Sequence, residues 1–567
     1  MPVFRRRVVA LLISLLFAVP LRAPGKEQPR FILENAHLRA EFDRQGRLLK
    51  LIDLTTGWEI QRRPELARSF QMFAAPPGRR FNPVFGAEQK PPQVVFDRRG
   101  QTLIFHWSGL KSRFGGTLPV DFRSRVALTG KGLAFRASLR NKSKATIETV
   151  RWPILGDLSV PRGTRSFAQL GMEYGGMVRL ELFPKFDNQP GYFGVDYPTQ
   201  FLKTPYSPFS LVAANSQGLY VGCHDTTLQQ LVEFSAQLRP GYVSYEYWDK
   251  GVNPTTDTLS GKPVHLQFEV IHFPFAAPGD SVTIGPVVLQ PYQGDWHAGA
   301  DVYRQWRKSW LRPARKPAWL RKVLSWQQIH MNNPEGDVRY RYRDLVTIAK
   351  DCARYGVGAI QVTGWTLGGQ DSQNPSHNTD PRLGTWQELR DAIARVQRLG
   401  VKVVLFAKFT WADRTTAWYR NELVRYATKD PYGDPHVYPG YAYQTATQLA
   451  DINTHRFVPL CPLCPEWRAV ATKEFLKTVA LGADGILYDE NQHHGGVYYC
   501  FDPSHGHHVP ANVFAGDALL ARGFHKAATE AGRPDFFFGG EGNYDFQFEE
   551  YHLSYFRVDL NHVPIHR

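Results

Sequence analysis

Residues 482–496 read GADGILYDENQHHGG. Ile486, Leu487 and Tyr488 make a short apolar run of the kind that forms a buried strand. Such runs usually close on a Gly or Asn turn. This one closes on Asp489 and Glu490, followed by Gln492, His493 and His494. A buried strand that presents ionisable groups at its carboxyl end is how a parallel sheet equips an active site. The flanking segments therefore decide the fold.

Around this strand, apolar and amphipathic segments alternate. Strands are expected at 323–331, 357–365, 401–409, 484–490 and 535–543, with a last one at 555–561. Helices are expected at 343–356, 385–400, 465–482 and 516–532. Trp386, Leu389, Ile393 and Val396 share one face of the second helix, and Gly400 lies past its end. Apolar strands alternating with helices indicate a parallel sheet covered by helices. The spacing and long loops favour a TIM-type (β/α) barrel over residues 323–567. A closed barrel needs eight strands, and only six are visible. Either the chain is truncated or two strands hide in the loops. The expectation is a barrel incomplete at its C-terminus, open between its first and sixth strands.

Upstream, the period changes to two. HLRAEF alternates Leu38, Ala40 and Phe42 against Arg39 and Glu41. Across the Gly130–Gly132 turn, Phe122, Val126 and Leu128 face Leu133, Phe135 and Leu139. Strands of this period between Gly, Pro and Asn turns predict antiparallel sheets, most simply a β-sandwich over residues 30–290. Residues 291–322, helical and then broken by proline, read as a connector. The fold class is thus multidomain, β followed by α/β.

The first 23 residues read as a signal peptide: MPVFRRR is basic, VVALLISLLFAVP is a short apolar core, and Ala23 suits cleavage. The alternative is an uncleaved anchor. The expected location is secreted or periplasmic, with no stable membrane insertion after cleavage. The formal net charge is +16, to which Arg5, Arg6, Arg7 and Arg22 contribute four. The remaining Lys and Arg are dispersed, which indicates a solvated surface and no nucleic-acid partner. Aromatics make up 13% of the chain. Flat rings hold sugars, and they equally build β-domain cores.

The carboxyl ends of the predicted parallel strands collect the candidate site. The first offers Trp326, His330 and Asn332, the second Trp365, and the third Lys408 and Trp411. The fourth offers Asp489, Glu490 and Gln492, the fifth Glu541 between Gly540 and Gly542, and the sixth Asp559. Two carboxylates across a sugar are the minimum equipment for glycosidic cleavage: one attacks or activates water, the other protonates the leaving oxygen. Asp489 and Glu541, on adjacent strands, are the candidate pair. A helix cap or a surface ion pair is the plain alternative for either one alone. Glu490 should leave the strand on the side opposite Asp489 and act as support.

Five cysteines permit one or two bridges at most. Cys461 and Cys464 in CPLC, with Cys500, His505, His507 and His508, resemble a zinc inventory. The fourth ligand and its spacing match no known pattern. A loop disulfide or packed thiols is the preferred reading, and no metal or other cofactor is expected.

The order of the opening NAHLRAEFDRQGRLLKLIDLTTGWE, then GLYVGCHD, DWHAGADVYRQW, KFTWADRTTAWY, DGILYDEN, CFDPSHGHH and GGEGNYD resembles exported glycosidase-like proteins. Many of these are known only as a domain of unknown function. The arrangement also resembles retaining α-glycosidases related to α-galactosidases and α-N-acetylgalactosaminidases. That resemblance implies Asp489 as nucleophile and Glu541 as acid/base, with Asp559 as the alternative acid. The Lys that α-galactosidases commonly carry two residues before the Asp is Leu487 here. The implied function is a retaining glycoside hydrolase acting on an oligo- or polysaccharide, with α-galactosides or α-N-acetylgalactosaminides favoured. The competing class is a non-catalytic carbohydrate-binding protein on the same scaffold, with Trp326, Trp365 and Trp411 as stacking platforms.

Overall fold

The computed structural model describes residues 30–64, 67–163, 167–173, 176–181, 199–202, 207–227, 230–240, 264–333, 336–438, 456–490 and 499–555. The expected signal peptide, Gln492 and Asp559 lie outside these residues. No helix among them is long and apolar enough to cross a membrane.

The first half is built of antiparallel sheets with five, nine and six described strands. Alternation sets their registers. Leu128 pairs with Leu133, Val126 with Phe135 and Phe122 with Leu139, the hairpin expected around Gly130–Gly132. Strands of these sheets bury apolar side chains in a shared core, where Phe42, Phe105, Phe122 and Phe135 pack with Trp107 and Trp152. Among the described residues, a large group of this half's aromatic rings is structural packing.

A helix, Trp296–Trp310, follows the last of these strands and packs Tyr303 against Phe209 at a 4.8 Å ring separation. Asp295 caps its first turn, accepting a hydrogen bond from the His297 amide.

The second half is a parallel sheet of six described strands in chain order: Trp326–His330, Ala359–Thr363, Lys402–Ala407, Gly485–Tyr488, Phe537–Glu541 and Leu553–Tyr555. Helices Leu345–Arg354, Trp386–Arg398, Pro465–Ala480 and Asp517–Glu530 lie between them. Thr385 and Glu388 cap the second helix reciprocally. Gly356, Gly400, Gly482 and Gly532 end the helices at positive φ, where a side chain would be strained. The sheet is a half-barrel. Among the described residues its first and sixth strands are both edges. The sixth strand begins two residues earlier than the sequence suggests, at Leu553.

The helices seal one face with stacked rings. Phe475 is fully buried, with its ring 4.5 Å from Phe524 and 5.4 Å from both Phe536 and Phe538. Phe475→Ala is expected to cost about 3–5 kcal/mol. Denaturant unfolding followed by tryptophan fluorescence would measure it, and a loss under about 1 kcal/mol would show that the cluster collapses onto the gap.

Candidate active site

Sequence register brings the two candidate carboxylates side by side. Tyr488 pairs with Gly540 in the parallel ladder, so the next residues, Asp489 and Glu541, leave neighbouring strands at the same level. Asp489 stays tied to the sheet through its amide, which donates to the Ala407 carbonyl at 2.9 Å. Gly542, at φ +61, turns the chain immediately after Glu541, and its amide donates to the Tyr555 carbonyl.

Lys408, one residue past the third strand, is the centre of the arrangement. Its ammonium lies 2.5 Å from Asp371 Oδ1 and 3.0 Å from Asp489 Oδ2, and it also pairs with Glu490. Lys408 is 2% exposed, Asp489 4% and Glu541 0%. Burial opposes the charge of Lys408, but the surrounding carboxylates outweigh it and hold the ammonium well above its usual range. Burial pushes the Asp489 carboxyl well above the usual carboxylate range. Lys408 pulls it back, while Glu541, Glu490 and Asp371 push it up.

Glu490 does not behave as strand alternation predicts. The strand ends at Tyr488, and Glu490 adopts φ +51. Alternation holds only for extended backbone. The reversal returns the Glu490 carboxylate to the same ammonium that Asp489 meets. It also aims the Glu490 amide at Glu541 Oε2, at 3.2 Å.

Asp371 was not anticipated. It sits in the loop after the second strand, where Asp371 and Gln373 both have positive φ. The run GGQDSQNP, directly after a buried strand, was the available signal. Asp380 organises this loop, accepting from Asn332 Nδ2 at 3.1 Å, the Gly368 amide at 3.1 Å and the Arg382 guanidinium at 2.6 Å. Gly364 allows the close crossing at its root: a Cβ there would lie 2.0 Å from the Asn332 carbonyl oxygen.

The other expected residues divide. His330 and Asn332 line a cavity of about 330 Å³ with Gln328, Asn333, Arg339, Gln370 and Tyr555, beside the strand ends. Trp326 lies at the opposite end of the sheet. It begins its strand rather than ending it, and packs edge-on against Phe537 at 6.0 Å. Trp365 is fully buried, with its indole N–H donating to the Phe406 carbonyl at 2.8 Å. Trp411 is 1% exposed and packs on Tyr438 and Phe457. Trp365 and Trp411 build the scaffold and offer no open stacking face, and Trp326 is half-buried, away from the strand ends that carry the carboxylates. Lys408, expected to bind substrate, is engaged by carboxylates. All five cysteines are free thiols, so no loop disulfide joins Cys461, Cys464 or Cys500.

Residues 284–549 match a family described as a domain of unknown function (DUF6259). No curated protein matches the chain. Among solved structures, the chain is similar to an α-N-acetylgalactosaminidase from Bifidobacterium bifidum in complex with GalNAc. The TM-score is 0.64 at 13% identity, covering 95% of this chain and 80% of that one. The ligand-free form of that enzyme gives 0.60 at 13% identity, covering 94% and 82%. An α-galactosidase from Geobacillus stearothermophilus gives 0.48 at 11% identity, covering 94% and 75%, too loose to argue from. The resemblance read from the sequence stands, and at these identities it is a resemblance of fold.

Proposed function

We propose that the protein is an exported retaining glycoside hydrolase with Asp489 as nucleophile and Glu541 as general acid/base. The observation that carries this reading is the buried, Lys408-centred carboxylate cluster at the carboxyl ends of adjacent parallel strands. Export is supported by the basic and apolar N-terminal run.

In this reading Asp489 attacks the anomeric carbon while Glu541 protonates the departing oxygen. A covalent glycosyl-enzyme results. Glu541, now a carboxylate, takes a proton from water, which attacks the same carbon and releases the sugar with its original anomeric configuration. Lys408 opposes the effect of burial on Asp489 and lowers its proton affinity, which favours the ionised form that a nucleophile requires. The Glu490 amide orients one oxygen of Glu541. α-Galactosides and α-N-acetylgalactosaminides are the favoured substrates: the resemblance in sequence takes in both, and the fold shared with an α-N-acetylgalactosaminidase supports the second. The non-catalytic alternative needs exposed stacking rings, and the burial of Trp365 and Trp411 does not favour it.

A library of aryl and alkyl α- and β-glycosides tests the reading, with NMR identifying the first-formed anomer. Glu541→Ala should slow alkyl glycosides by about 10²–10⁴-fold. Aryl glycosides with acidic leaving groups, which need little protonation, should suffer far less. An equal loss on both classes would show that Glu541 is not the proton donor. Inversion at the anomeric carbon would remove the covalent step.

A further inference from the structure

Four side chains outside the carboxylate cluster converge with the geometry of a metal centre. Cys461, Cys500, His505 and His507 each offer one donor atom, and the four atoms all lie within 4.8 Å of one another. Cys461 Sγ is 3.5 Å from His507 Nε2, and Cys500 Sγ is 3.2 Å from His505 Nδ1. Bond lengths of about 2.3 Å to sulfur and 2.0–2.1 Å to nitrogen put tetrahedral donor atoms about 3.3–3.8 Å apart. The two thiol–imidazole pairs already sit at about this spacing, and the remaining donor pairs, all within 4.8 Å, need to close by at most about 1–1.5 Å to take an ion.

The outer contacts favour the ligating forms of both imidazoles. His505 Nε2 lies 2.9 Å from the Arg425 carbonyl, and His507 Nδ1 lies 2.7 Å from the His508 carbonyl. A carbonyl only accepts, so each of these nitrogens carries the proton. The other nitrogen of each ring, the one facing the thiols, is then left with its lone pair. Holding the far nitrogen on a carbonyl is how proteins fix a metal-binding histidine. Cys464, the second cysteine of CPLC, is not in the group. Its thiol lies 3.2 Å from Glu466 Oε2.

We infer that Cys461, Cys500, His505 and His507 form a structural site for a tetrahedral divalent cation, zinc by its preference for two thiolates and two imidazoles. Binding releases the two thiol protons to solvent. With four protein ligands the coordination shell is closed, so the ion would not take part in sugar chemistry. Its effect is mechanical. It joins residues 500–507 to the start of helix Pro465–Ala480, and so fixes the chain ten residues beyond Glu490.

The test uses the full chain, purified without a histidine tag and dialysed against zinc and then buffer. Elemental analysis should find about one zinc per chain. Cys500→Ser and His507→Ala should lower it to background, and Cys464→Ser should leave it unchanged. Cobalt(II) in place of zinc should show the intense visible bands of a tetrahedral ion and a thiolate charge-transfer band. The cobalt spectrum needs only the wild-type chain, so it decides the matter if the variants fail to fold. Wild-type protein that retains no metal would overturn the inference. So would Cys500→Ser protein with undiminished zinc, or a Cys461–Cys500 disulfide found by mass spectrometry.

Discussion

Asp489→Asn is expected to lower kcat by at least about 10⁴-fold, the scale on which enzymes lose rate when a nucleophile is removed. The same substitution is expected to stabilise the fold. Asp489 is almost wholly buried, and burial raises its carboxyl well above the usual range. A carboxyl whose folded pKa exceeds its unfolded value binds protons more tightly when folded. Its stability contribution is intact below the unfolded value, near 4, and is lost as pH rises through the folded value. Asparagine has no charge to bury. The variant should therefore match the native protein in acid and exceed it by about 0.5–2 kcal/mol at neutral pH. Thermal unfolding across a pH series would measure the difference. A variant inactive and destabilised at every pH would mean that the carboxylate holds the structure together rather than performing chemistry.

Lys408→Met is expected to be the most damaging single change to the site. It leaves Asp371, Asp489 and Glu490 buried or half-buried around an uncharged side chain. Removing one partner of a buried ion pair costs about 3–5 kcal/mol, and here one cation serves three anions. Turnover should fall about 10²–10³-fold, in line with the loss of a preorganised charge beside a reacting group. The pH profile gives the direction. Lys408 lowers the proton affinity of Asp489, so its loss raises that affinity and moves the acidic limb of kcat/KM to higher pH. Circular dichroism would establish folding before kinetics are compared. A folded Lys408→Met protein with an unmoved acidic limb would separate Lys408 from the ionisation of Asp489.

The sequence displayed some of this site and hid the rest for physical reasons. The apolar run ending in Asp489, and the glycines that end the helices, are local signals. They suffice to place Asp489 and Glu541 on neighbouring strands. The pairing of Phe122 with Leu139 was readable because strand alternation and turn position fix a hairpin register. Glu490 was misread because alternation was extended one residue past the end of the strand, into a left-handed turn. Asp371 was missed because a loop with two positive-φ residues leaves no periodic trace. Trp326 was assigned to the wrong end of the sheet because an apolar run does not reveal where its ladder begins. In the thiol–imidazole cluster, the close spacing of Cys461 and Cys464 drew attention to a pair that does not act together. The partner of Cys461 is Cys500, and only tertiary folding brings them into contact.

The sharing of one ammonium among Asp371, Asp489 and Glu490 also bears on how such a site can evolve. All three carboxylates meet the same ammonium, so the effect of replacing one depends on which of the others is present. Substitutions that share a partner do not add. A lineage could not exchange these positions one at a time at constant cost. Loss of Lys408 would favour loss of carboxylates, and retention of all the carboxylates would hold Lys408 in place. The four positions, on three separate segments of the chain, are therefore expected to change together or not at all.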